Sequence, residues 1–87
     1  MIRKFKNKSP IIDETAFIDE QATIIGDVSV GKDSAFWPQS VARGDISSIS
    51  VGVKTNVQDG AILHVTHKSE YSNEFPLIIG DEVTIGH

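Results

Sequence analysis

An aliphatic or aromatic residue recurs every six positions along this chain, a spacing that neither a helix nor an alternating strand produces. It runs Ile12, Ile18, Ile24, Val30, Phe36, resumes at Val51, Val57 and Leu63, and returns as Ile79 and Ile85. A helix repeats near 3.6 residues and a strand at 2, so a step of six held through many copies makes each unit one short strand plus one corner. Repeats of this length predict an all-β fold, a parallel β-helix. Four residues after each repeat position stands a small or modest side chain (Ala16, Ala22, Val28, Ser34, Ser40, Thr55, Ala61, Val83), which suits a tight corner. Glycine follows the repeat residue at Gly31, Gly52, Gly80 and Gly86, where a turning backbone gains from lacking a Cβ. An antiparallel sandwich also offers spaced aliphatics and turns, but nothing in it would hold one period through its turns.

Eighty-seven residues suit a single small domain, 1–87, that buries each layer against the next. Twelve acidic and eight basic residues give a net charge of -4, and the basic ones form no long patch, so nucleic-acid binding is not indicated. Arg3, Lys4, Lys6 and Lys8 concentrate positive charge at the start, yet no apolar run follows that would act as a signal or cross a membrane. A cytoplasmic protein is the expectation. The absence of cysteine agrees with that compartment and rules out disulfides and thiolate ligands within these residues.

The chain divides into a charged lead-in at 1–11, stacked repeats over 12–63, a protruding loop at 64–77 and the start of an incomplete layer at 78–87. Val51 stands fifteen positions after Phe36, two units plus three, which places a bulged corner at Arg43-Gly44-Asp45-Ile46. With three units to a layer, the layers read 12/18/24, 30/36/42, 51/57/63 and 79/85. Leu63 then lies on the third face of a triangular prism and Ile85 on the second. His64 and His87, just beyond them, occupy different outer faces and meet only if a neighbouring copy brings its second face to this copy's third.

Through Phe36-Trp37-Pro38, Ala42-Arg43-Gly44-Asp45, Asn56-Val57-Gln58-Asp59-Gly60, Leu63-His64 and Ile79-Gly80-Asp81 to Gly86-His87, the chain resembles the gamma-class carbonic anhydrases and their hexapeptide-repeat relatives. That resemblance implies a left-handed parallel β-helix of about three to four layers, assembled as a homotrimer, with zinc, or else iron or cobalt, held between subunits by three histidines. It makes His64 the first metal ligand and His87 the second, supplied by the adjacent subunit. In the family a third histidine follows about five residues later, past His87, as does a C-terminal helix. The site within these 87 residues is therefore expected to be incomplete and hydration of carbon dioxide to bicarbonate weak or absent, with the uncovered end packed against another chain.

The resemblance assigns Gln58 and Asp59 catalytic places, Gln58 beside the metal-bound water, and gives Arg43, Asp45 and Asn56 interface and site support. A bound cation lowers the pKa of water to about 7 and so supplies a nucleophile at neutral pH. Ile46 departs from the family, which places a glutamate there for proton transfer. His67 and Trp37 read as a loop residue and a corner packing residue. Arg43-Gly44-Asp45 as an adhesion tripeptide and Asn7-Lys8-Ser9 as a glycosylation acceptor are coincidences in a chain read as cytoplasmic. Two alternatives stand beside the hydratase: an acyltransferase using a coenzyme A-linked donor with a histidine as base, and a non-catalytic trimeric scaffold.

Overall fold

The computed structural model describes residues 1–65 and 76–87. Their regular structure is entirely strand, and every strand pair is parallel. On the first face β2 (Ile11–Ile12), the end of β4 (Thr23–Val30), the end of β6 (Val41–Val51) and β9 (Leu77–Ile79) align Ile12, Val30, Val51 and Ile79. The second face stacks β3 (Phe17–Ile18), β5 (Ala35–Phe36), β7 (Asn56–Val57) and β10 (Thr84–Ile85), putting Ile18, Phe36, Val57 and Ile85 in one column. On the third, β1 (Ile2–Arg3), the starts of β4 and β6, and β8 (Ile62–His64) align Ile2, Ile24, Ala42 and Leu63. This is the parallel β-helix that the six-residue period predicts.

The repeat residues point inward. Ile24, Phe36, Ala42 and Val57 are fully buried, while Ile12, Ile18 and Ile85 are partly buried and pack against the same core. The small residues fill one corner with a hydroxyl ladder: Ser34 Oγ donates to the Gly52 carbonyl (2.6 Å) and accepts from the Thr55 N–H (3.0 Å), and Thr55 Oγ1 donates to the Gly80 carbonyl (2.7 Å). A buried hydroxyl is tolerated only when it is bonded, and these bonds also tie one layer to the next.

The bulge sits where the count of residues puts it. Gly26 pairs with Gly44, but two residues later Val28 pairs with Ile49, so β6 carries three residues that β4 does not match. Ile46, within this insertion, packs against the core.

Three features differ from the sequence-based expectation. The lead-in is part of the stack, because β1 pairs with β4 and the chain then turns back through a Phe5–Lys8 bridge, with Phe5 N–H to Lys8 O at 2.9 Å and the reciprocal bond at 3.0 Å. The expected loop at 64–77 is shorter at both ends: His64 closes β8 and Leu77 opens β9, where it pairs with Ile49. His67 lies outside the described residues. Lastly, Gly31 and Gly52 do not have positive φ; what requires glycine is the closeness of the layers. A Cβ on Gly31 would stand 2.6 Å from the Gly52 carbonyl oxygen and 2.7 Å from its carbon.

Replacing Gly31 with Ala should therefore cost about 1–3 kcal/mol, the usual range for overpacking a tight site, whereas Ile11→Ala, at a residue 74% exposed, should stay within about 0.5 kcal/mol. Urea denaturation of the two variants checks the contrast. Phe36→Ala, which empties the middle of the second column, should lose about 3–5 kcal/mol by the same measurement.

Candidate functional site

Outward-pointing residues stack as regularly as inward ones. On the third face Arg3, Ile25, Arg43 and His64 occupy successive layers of one column, since each pairs with the next. The bulge then adds what a regular coil would lack. Asp45, leaving the corner after Gly44, turns its carboxylate into this column, with Oδ2 3.4 Å from Arg43 Nη1 and Oδ1 3.3 Å from His64 Nε2. One carboxylate thus bridges a guanidinium and an imidazole in adjacent layers. The Asp45 side chain is 15% exposed and Arg43 49%, so the ion pair contributes at most about 1 kcal/mol. Its importance is orientation: with the proton on Nε2, His64 donates to Asp45 and its ring is held in place.

The other predicted residues lie elsewhere. Asn56 sits in β7 on the second face, and its Oδ1 accepts from Trp37 Nε1 at 3.2 Å; Trp37 in turn lies against Phe17, with ring centroids 5.1 Å apart. Asn56 therefore anchors an aromatic pair on the outer surface. Gln58 and Asp59 follow at the corner from second to third face, where the Gln58 N–H donates to Ile85 O (3.0 Å), its carbonyl accepts from Ala61 N–H (3.1 Å), and Gly60 supplies φ of 75°. His87 is exposed just past β10, on the second face. Among the described residues none of these four hydrogen-bonds to the Arg43–Asp45–His64 trio.

Imidazole and carboxylate suit a metal such as zinc, and a metal-ligating histidine commonly donates its other ring N–H to a carboxylate, the place that Asp45 holds beside His64 Nε2 when the proton is there. The number of donors does not suffice. Among the described residues no three His, Asp or Glu side chains gather where one ion could reach them. Among the described residues the chain offers a positioned imidazole without the other ligands a metal requires. Two features go beyond the sequence-based expectation: the direct Asp45–His64 contact, and the placement of Arg3 in the same column. The ten-residue step from Ile2 to Ile12, longer than the period, conceals the extra strand in the sequence.

No family model matches the sequence. Protein YrdA of Escherichia coli strain K12 is 43% identical over 88 residues, which take in all of this chain and 48% of that protein. Gamma carbonic anhydrase 1, mitochondrial, of Arabidopsis thaliana is 46% identical over 81 residues, 93% of this chain and 30% of that one. Among solved structures, a hexapeptide transferase family protein from Anaplasma phagocytophilum superposes with a TM-score of 0.86 at 41% identity, covering 99% of this chain and 46% of the other. The chain spans about half the length of YrdA and under a third of the Arabidopsis protein. Within that span the chain is a homologue of the gamma carbonic anhydrases and of their hexapeptide-repeat relatives.

Proposed function

We propose that this chain contributes to a metal site shared between copies of itself, in a protein that hydrates carbon dioxide to bicarbonate. The observation that carries the reading is the Arg43–Asp45–His64 cluster on the third face, set against His87 on the second. In this reading the copies form a homotrimer, His64 of one meeting His87 of the next, and zinc is the expected ion, with iron or cobalt also suited to imidazole. The ion supplies a Lewis acid and a water of lowered pKa. Asp45 orients the His64 ring, Arg43 neutralises the carboxylate that does so, Gln58 and Asp59 at the adjoining corner hold and orient water, and Asn56 keeps the second face rigid through Trp37. The cysteine-free composition fits a cytoplasmic setting.

A second reading, transfer of an acyl group from a coenzyme A-linked donor with a histidine as base, is favoured by the likeness to a hexapeptide transferase family structure. Measuring carbon dioxide hydration and acetyl-coenzyme A turnover side by side on the whole protein separates the two.

Sharing of the site has a direct test. In the whole protein His64→Ala and His87→Ala should each lose bound metal, read by elemental analysis of the purified assembly. Mixing the two variants and reassembling them should restore metal at those interfaces where an intact His64 meets an intact His87. Mixtures that hold no more metal than either variant alone would reject a shared site. Asp45→Asn removes the charge while keeping the shape, and should weaken metal affinity about 10–100-fold in a chelator competition. An unchanged affinity would leave Asp45 with a role in packing only.

A further inference from the structure

Two concavities, each of about 280 Å³, flank the N-terminal turn. The first contains Lys6 and Lys8 but also Asp27 and Asp45, so its charges balance. The second differs. It is lined by Arg3, Lys4, Phe5, Ile25, Arg43 and Asp45, three cations and one carboxylate. Asp45 is already engaged by Arg43 and His64, and among the described residues neither Arg3 nor Lys4 has a carboxylate within 4.0 Å. In a chain with net charge -4, this hollow is a locally cationic exception.

We propose that this hollow binds a phosphate group, either free phosphate or the phosphate of a small ester. Arg3 and Arg43 stand two layers apart in one outward column with half-buried Ile25 between them, so guanidinium forks flank an apolar floor. Such forks match the oxygens of phosphate and carboxylate alike, and Lys4 adds a point charge. The excess of two positive charges, three cations less one carboxylate, is matched by a dianion, which favours phosphate over a monocarboxylate. Phe5 and Ile25 exclude part of the surrounding water, which strengthens each charged contact. The volume lies just under the usual range for drug-sized ligands and suits one small molecule. The site is next to His64 but does not depend on a metal.

The test is calorimetric titration of the whole protein, at low ionic strength, with inorganic phosphate, glycerol phosphate and succinate as probes, before and after chelator treatment. Saturable binding of one phosphate probe per chain, with a Kd at or below about 1 mM, is expected and should survive metal removal. The Arg3→Gln/Lys4→Gln double variant should raise that Kd at least tenfold with no change in Tm, because both side chains are exposed. Lys54→Gln, at a distant corner, should leave it unchanged. Tighter binding of glycerol phosphate assigns the site to an ester; equal or weaker binding assigns it to free phosphate. The proposal is overturned if nothing saturates, if succinate binds as tightly as phosphate, or if Lys54→Gln weakens binding as much as the double variant. Absence of saturable phosphate binding in the unaltered protein, with its metal binding intact, would sink this proposal and leave the shared metal site standing.

Discussion

Hydrogen bonding between successive coils is the constraint on which the rest of the structure rests. Most strands here are only two or three residues long, too short to pair stably alone. What holds them is that each coil's backbone finds its partners one turn of the prism away: Phe17 N–H to Ser34 O, Ala35 N–H to Thr55 O, Trp37 N–H to Val57 O, Gln58 N–H to Ile85 O. Corners take part as well, since Lys54 N–H donates to Lys32 O and Glu82 N–H to Val53 O. At that corner Asp33, Lys54 and Glu82 all take left-handed backbone angles, φ 53–58°, at roughly 1–2 kcal/mol each. The stacked geometry repeats the strain in three successive layers and offsets it with the interlayer bonds.

Once the layers are in register, every side chain's position becomes a matter of counting. A residue one place after a third-face aliphatic always points outward into the same column, so Arg3, Ile25, Arg43 and His64 line up without any interaction of their own to bring them there. A perfectly regular coil would make columns and nothing more. The three inserted residues of β6 let Asp45 leave the repeat and aim back along the column, and Ile46 anchors the insertion in the core. Bulges are where sheets re-aim side chains, and this one places the carboxylate that holds His64. The same column, read downward, brings Arg3 and Arg43 to one hollow. A single geometric rule serves both proposed sites.

The six-residue period carried most of the fold. The column of Ile18, Phe36 and Val57, the inward direction of the aliphatics and the three-residue excess before Val51 were all legible, because each depends only on counting along the chain. The strand at Ile2–Arg3 was not, since Ile12 stands ten positions after Ile2, off the period, and the turn between Phe5 and Lys8 hides the stacking. The pairing of Leu77 with Ile49 was hidden likewise, because one follows a long interruption and the other a bulge. The glycines were visible but their reason was not: the sequence suggested a turning backbone, and the need comes from the neighbouring layer's carbonyl.

Periodicity, and everything that follows from it, belongs to the sequence: a parallel β-helix, its inner and outer columns, and His64 and His87 on separate faces. Which outward residues touch was settled by folding in three dimensions. Asn56 turns to Trp37, while Asp45 reaches His64 across a layer and Arg3 shares a hollow with Arg43. A repeat specifies the layer and face of each residue because backbone bonds lock the register. The direction of a side chain that leaves the repeat depends on the bulge, the turn and the packing around it, which no spacing along the chain records.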